Sequence, residues 1–500
     1  MNEGLFTAYQ SLPAWKRLME RIGEGGCTAL YEIAEGERPF LAAALSHATG
    51  RPVLLVAPTE LIAQRQAQDI ERLTGDGCAM LPARDIQFSR AAMSRDSAWQ
   101  RLSVLDGLTA GRVKVLCASV DALLDRCAPR ARFQSAAITL SEGGRIAPDG
   151  LMESLIRGGY ERVPMVEGRG QCAMRGAIVD VFPANAADAL RIEFFDDEID
   201  TMRTYDALSQ RSIENVEAVT VPPAGEMPLT EAARARALRA FKKKPRLSEE
   251  LAVLSAGGTP AGAELFMPLF YDDAYLQDYL SEDAILLIDE PQRVEESAKV
   301  AHMEHLDTVS ALLADGNAEP EQAELLGRPS VLLAQLDTPR TATLFALTRT
   351  YGLIAPKCLF RFETRPATKY LAAQDILASD VASWRKAGTT AVIYAGSHSV
   401  RLQDQLPDMD VHAAVTDALT RPLVPGEVII TGESIEKGFE YPEIKLVAVS
   451  EAELYGAVQK KAAAAHKKRP QLAFSELSVG DLVVHELHGV GRFVGVITLT

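Results

Sequence analysis

The sequence has no long apolar run. None of its hydrophobic stretches reaches the length of a membrane span, and the start, MNEGLFTAYQSLPAW, has no basic region followed by a hydrophobic one. No membrane anchor and no leader are expected, and the compartment expected is the cytoplasm. Cysteine is scarce. The six cysteines (Cys27, Cys78, Cys117, Cys127, Cys172, Cys358) lack metal-site spacing, and several lie in apolar runs. Reduced, buried thiols are expected, with no disulfide framework and no metal site. Positive charge is in deficit: 52 Lys and Arg stand against 68 Asp and Glu, a net charge of −16. That argues against wrapping nucleic acid, because neutralising phosphates needs clustered cations. An acidic surface suits a protein-binding scaffold, and only weak binding to double-stranded DNA is expected of it.

Apolar residues are plentiful, at 47% of 500, which provides for about three or four separately cored domains. Residues 1–132 alternate short apolar runs with helical patterns. Thr28–Tyr31, Pro52–Pro58 and Val113–Ala118 read as strands, the last two as buried parallel ones. The helical stripes are Phe40–His47 and Leu61–Leu73. Strand, helix, strand at these lengths predicts a parallel sheet covered by helices. Residues 211–345 continue that unit and contain the run Ile285–Glu290 (ILLIDE). His302 and His305 sit on a polar helix with no third ligand in view, and read as surface residues. Residues 346–456 form a further α/β unit with strands at 390–395, 427–431 and 445–450. Residues 457–475 are a basic, alanine-rich linker, and something new starts at 476.

The most informative stretch is Met174–Tyr205. Two apolar-rich runs, Ala177–Phe182 and Leu190–Phe195, flank a turn cluster at Pro183–Asp188, which is a hairpin signal. In the second run Leu190, Ile192 and Phe194 point one way and Arg191, Glu193 and Phe195 the other. The first set is the natural core face. The second set carries an arginine and an aromatic ring, the composition of a protein–protein hot spot. A sheet whose second face is covered by the next domain would alternate in the same way.

The strings RGAIVDVFPA and RIEFFDDEID resemble the second domain of UvrB, the damage-verification protein of bacterial excision repair. They resemble still more closely the UvrB-like front end of the transcription-repair coupling factors. The string VHELHGVGRFVGV near the end resembles the start of that family's RNA-polymerase-interacting domain, a Tudor-like β-barrel shared with CarD-type regulators. The resemblance implies a multidomain α/β chain. Residues 1–132 and 211–345 would form a degenerate RecA-like parallel-sheet domain. Residues 133–210 would be an inserted small α+β domain that docks onto UvrA, and 346–456 an α/β domain of unclear role. Residues 476–500 would begin the barrel. It assigns UvrA contact to Arg175, Arg191 and Phe195, and polymerase contact to Leu499.

In UvrB a phosphate loop occupies the place of Glu32–Pro39, with its Lys–Thr pair falling on Arg38 and Pro39. A phosphate loop needs glycines, a lysine and a magnesium-binding hydroxyl. Here only Gly36 remains, Pro39 has neither hydroxyl nor N–H, and Glu32, Glu35 and Glu37 would repel phosphate. ILLIDE looks like the acidic, metal-holding strand of a nucleotide-binding domain, but one without a phosphate loop to work with. This stretch is therefore expected to have no catalytic residues and no cofactor. ATP and magnesium would belong to a motor beyond residue 500, which would also provide the contact with DNA. The resulting expectation is a scaffold that recruits UvrA to RNA polymerase stalled at DNA damage. The alternatives are a UvrB-type ATP-dependent verifier, against which the degenerate loop argues, and a CarD-type polymerase-binding regulator, which only the last two dozen residues support.

Overall fold

The computed structural model describes residues 3–86, 88, 95–260, 262–347, 352–405, 414–416, 419–456, 482–485 and 489–492. Helices α1 (Glu3–Tyr9) and α2 (Pro13–Arg21) precede strand β1 (Thr28–Tyr31). Then follow α3 (Arg38–Thr49), β2 (Val53–Ala57), α4 (Glu60–Thr74), β3 (Cys78–Leu81), α5 (Arg95–Thr109) and β4 (Val115–Ser119). After an insertion the chain returns with β13 (Ile285–Asp289), β14 (Thr341–Phe345) and β15 (Cys358–Arg361). These seven strands form one parallel sheet in the order β15-β1-β14-β13-β2-β4-β3.

The continuous apolar runs explain that sheet. Val53, Leu55 and Ala57 of β2 pack into the core that holds α3 and α4, while Leu54 and Val56 pack into the core on the other face. A strand buried on both faces has no use for polar alternation. Helices α3 and α4 both stop at glycines in the left-handed region, Gly50 (φ 66°) and Gly75 (φ 79°).

The insertion carries β5 (Ile138–Ser141), β6 (Glu161–Arg162), β7 (Gln171–Arg175), β8 (Ile178–Val181), β9 (Ala189–Phe195), β10 (Glu198–Tyr205), β11 (Ser212–Asn215) and β12 (Ala218–Val221). Strands β11-β10-β9-β8-β7-β6 form the main sheet, antiparallel except for the β6–β7 pair. The helix Pro148–Arg157 packs on one face of it through Leu151, Met152 and Leu155. Strand β5 pairs with β12, and Leu140 and Val221 join that same core. The pairing carries this unit past residue 210.

The third unit has β16 (Arg365–Pro366), β17 (Thr390–Tyr394), β18 (Ala414–Val415), β19 (Val428–Thr431), β20 (Phe439–Tyr441) and β21 (Leu446–Ser450), ordered β16-β20-β21-β17-β19-β18. Because β15 belongs to the first sheet, this unit begins after Arg361 rather than at 346. One face of its sheet, with Val392, Tyr394, Ile429, Phe439, Tyr441 and Ala448, shares a continuous core with α1, α2 and α3. Helix α3 therefore lies between two sheets. Further on, Leu482–His485 and Gly489–Arg492 pair antiparallel. The linker at 457–475 and Leu499 lie outside the described residues.

His305 does not lie on the surface as the sequence suggested. It is buried, with Nε2 2.9 Å from the Gln322 carbonyl and its ring stacked on Phe88. Among the described residues no helix is long and apolar enough to cross a membrane.

A buried charge cluster fastens the return connection of the insertion to the first unit. Arg101 of α5 donates to Glu226 (2.6 Å), to Asp125 (2.9 Å) and to the Pro82 carbonyl (2.5 Å), and Arg84 adds a second bond to Glu226 (2.5 Å). Burial acts to raise the Glu226 carboxyl, but the charges of Arg101 and Arg84 outweigh it and hold it at about 2. At Asp125 burial wins and pushes the carboxyl up to about 6. Glu226 thus adds stability that is full above its ordinary value of 4.5 and is lost as pH falls toward 2. Asp125 adds stability that is full below 3.8 and is lost as pH rises through about 6. Replacing Arg101 with Leu leaves Glu226 with Arg84 as its cationic partner and takes from Asp125 its bond to a guanidinium, leaving it the Arg84 N–H. Urea unfolding of Arg101→Leu at neutral pH should show a loss of about 3–5 kcal/mol, the usual cost of breaking a buried pair from one side. The loss should shrink near pH 4, where the acids can take up protons.

Candidate docking surface and the loop Glu32–Pro39

Asp180 lies at the centre of the docking candidate. Strand pairing places it directly opposite Arg191 on one side and Ala173 on the other. Arg191 grips it with two bonds, Nε to Oδ1 at 2.7 Å and Nη2 to Oδ2 at 2.9 Å. Arg175 reaches the same carboxylate at 2.8 Å. Arg175 does not pair strand to strand with β9. It ends β7 and approaches across the intervening β8. The carboxylate is 1% exposed, while the Arg191 side chain is 15% and the Arg175 side chain 49% exposed.

Arg191 is further fixed by Gln210 Oε1 at 3.0 Å, and its guanidinium carbon lies 4.4 Å from the Tyr205 ring centroid. Gln210 adopts φ 59°, and its own amide nitrogen bonds to the Ala207 carbonyl. Two separate contacts, charge-assisted bonds and a cation over an aromatic face, hold this guanidinium in one place.

Phe195 differs from its neighbours. Leu190, Ile192 and Phe194 are buried as the alternation predicts, yet Phe195 is 80% exposed. It closes β9 just before a turn in which Asp196 takes φ 61°. Packing of Phe195 beneath another element does not occur among the described residues. The second face of the sheet is nonetheless not uniformly wet. Val166, Ala173, Ala189, Tyr205 and Ala207 form a small buried cluster on the sheet beside Arg191. The three candidate residues thus lie across one sheet face. The two arginines converge on one carboxylate, and the free ring stands at the end of β9.

Asp180 is the residue the sequence reading missed. A carboxylate inside the run IVDVF demands a cationic or hydrogen-bonding partner once the strand is buried. Register alone then points to Arg191.

The loop Glu32–Pro39 leads from β1 into α3. Gly36 and Pro39 are buried. A Cβ at Gly36 would run into the backbone carbonyl of Lys437 in the third unit. Arg38 is also buried. It ion-pairs with Asp289, and its Nη2 lies 2.7 Å from Glu290 Oε1. Gln66 donates to the other Asp289 oxygen at 2.7 Å. The acids of ILLIDE, read from sequence as lacking a counterpart, hold Arg38.

Comparison with known proteins adds the following. Residues 138–227 match the UvrB interaction domain, and residues 477–500 match the CarD-like/TRCF RID domain. The transcription-repair-coupling factor of Bacillus subtilis (strain 168) is 29% identical, across 97% of this chain and 43% of its own length. That of Staphylococcus aureus (strain MRSA252) is 27% identical, across 80% of this chain and 36% of its own. The chain thus spans less than half the length of these curated relatives. Along nearly all of its length, it is similar to transcription-repair-coupling factors.

Proposed function

We infer that this chain is the interaction scaffold of a transcription-repair coupling system, and that its inserted unit recruits UvrA to RNA polymerase stalled at DNA damage. The observation that carries this reading is Phe195. It is a large aromatic side chain left 80% exposed on the same sheet face as two arginines fastened to one carboxylate, in a stretch that matches the UvrB interaction domain. An exposed ring with adjacent cationic donors is the composition of an interface anchor. The match at residues 477–500 supports polymerase as the second partner. An ATP-driven motor acting on DNA would lie outside these residues.

The reading can be tested on one set of variants. Phe195→Ala and Arg175→Ala should each weaken UvrA binding by about 1–3 kcal/mol. Their effect on stability should stay within about 0.5 kcal/mol, because both are surface substitutions. Arg191→Ala should lose binding and also stability, by about 1–3 kcal/mol, because it deprives a buried carboxylate of its main partner. Asp180→Asn leaves the exposed ring untouched but removes the charge that anchors both guanidiniums, leaving Arg191 only Gln210 and the Tyr205 ring as further holds. It should weaken UvrA binding without changing the affinity for polymerase. Calorimetric titration and thermal melting on the same four proteins are sufficient. Unchanged UvrA affinity in all four overturns the reading.

A second outcome follows from the loop. ATP with magnesium should produce no binding heat at submillimolar concentration, and the chain should show no ATP turnover. The loop lacks the Lys, the hydroxyl and the run of glycines that cradle phosphates, and Arg38 is committed to Asp289 and Glu290. Micromolar ATP binding that disappears in Arg38→Ala would overturn it.

A further inference from the structure

The segment Glu433–Tyr441 of the third unit crosses the loop Glu32–Pro39 and the adjoining face of α4. Its contacts are specific. The Lys437 carbonyl lies against Gly36, and its ammonium pairs with Glu35. The Glu436 N–H donates to both Asp69 oxygens, at 3.0 and 3.2 Å, while the Glu436 side chain takes Arg65 at 2.9 Å. Arg72 donates to the Ser434 carbonyl at 3.0 Å.

Glu37 is the meeting point. It accepts the hydroxyls of Tyr441 from the third unit, Tyr9 from α1 at 3.2 Å, and Thr364 from the connection after β15 at 2.6 Å. Thr364 in turn accepts the Ala34 N–H at 2.7 Å. Behind this layer the Phe40 ring meets Phe439 edge-on, with centroids 4.7 Å apart. In a phosphate loop the backbone N–H groups and the basic residue would face a ligand. Here the polar groups of the loop are taken up by the protein itself.

We propose that Glu433–Tyr441 is an internal ligand of the loop Glu32–Pro39, and that the role of the third unit is to clamp the first into one rigid body through this seam. This role is separate from UvrA docking, which belongs to the inserted unit.

The seam has a pH dependence of definite sign. Burial pushes the Glu37 carboxyl up to about 7 against the pull of Thr364, Tyr441, Tyr9 and Arg38. Burial likewise pushes Asp69 up to about 7, against the Glu436 N–H and Arg72 and with the Glu436 charge adding to the rise. Tyr394 and Cys117 also face Asp69. Acids held above their ordinary values contribute stability that is full below those values and is lost as pH rises through about 7. Glu35 runs the other way. Lys437, Arg38 and Arg293 outweigh burial there and hold it low, so it stays ionised across the neutral range.

Hydrogen exchange on the intact chain is the test. In Gly36→Leu, protection should fall together in the loop Glu32–Pro39 and in Glu433–Tyr441, by about tenfold or more, the scale of one lost buried bond. The strands Gln171–Tyr205 should be unchanged. Tyr441→Phe keeps the ring and removes one bond to Glu37. It should give the same paired loss, and it decides the matter if Gly36→Leu does not fold. In the unaltered chain, protection of Glu433–Tyr441, corrected for intrinsic exchange, should drop between about pH 5.5 and 8.5. The double variant Glu37→Gln/Asp69→Asn should remain level over that range. Loss confined to the neighbours of the substituted residue, with the opposite side of the seam still protected, overturns the proposal. So does protection that is level or rising with pH in the unaltered chain.

Discussion

Helix α3 is apolar around its whole circumference, and most of this molecule's organisation follows from covering it. Every residue from Arg38 to Ser46 is buried. A helix of that kind cannot lie on a sheet with its far side in water. The first sheet covers one flank, and the sheet that carries Tyr394, Phe439 and Tyr441 covers the other. The small residues Ala42, Ala43 and Ala44 let both layers approach closely. Once α3 is enclosed, the loop that leads into it is enclosed too. Each charge on that loop then needs a partner inside the protein, because an unpaired buried charge costs several kcal/mol. Arg38 finds Asp289 and Glu290, and Glu37 finds three hydroxyls. The polar groups of the loop are taken up by a set of internal bonds.

Those internal bonds mark the limit of what the sequence discloses. The missing lysine, hydroxyl and glycines of Glu32–Pro39 were legible, because a phosphate loop has a fixed local composition. The internal bonds were not. Arg38 and Asp289 are far apart in sequence, and Glu37 and Tyr441 further still. The buried strands of the first sheet and the alternation in Leu190–Phe195 were legible because each is a local periodicity with a direct packing cause. Strand β15 escaped because its burial alternates weakly over four residues, and only parallel pairing with β1 shows that it belongs to the first sheet. Strand β12 fell outside the expected bounds of the insertion, 133–210, for the same reason, while β5 lay inside them. Each is short, and each has the other as its partner across the whole intervening unit.

The docking face shows how a single carboxylate changes the reading of an arginine. From alternation alone Arg191 looks exposed and free. With Asp180 opposite, it is half-buried, held by two bonds and laid over Tyr205. Asp180 carries one negative charge between two guanidiniums, so the local balance is one positive charge on a chain whose net charge is −16. If this face docks a partner as proposed, a small positive site in a negative surround would direct an acidic patch of that partner to one point rather than to the whole surface.

Rigidity gives that point its value. Ordering a flexible side chain at an interface costs about 0.5–1.5 kcal/mol. Arg191 is already ordered by Asp180, Gln210 and Tyr205 before any partner arrives. Phe195 has only two rotatable side-chain bonds and sits at the end of a strand paired on both sides along most of its length. Arg175, half-exposed with a single anchoring bond, is the less ordered of the two arginines. On the proposed docking face the work would divide between a cation already held in place, an exposed ring and one adaptable arm. The Arg101 cluster extends the same principle inward by tying the return connection of this unit to the first sheet's framework. As a docking surface, a face on such a mount would lose little freedom on binding, so more of its contact energy would remain available as affinity.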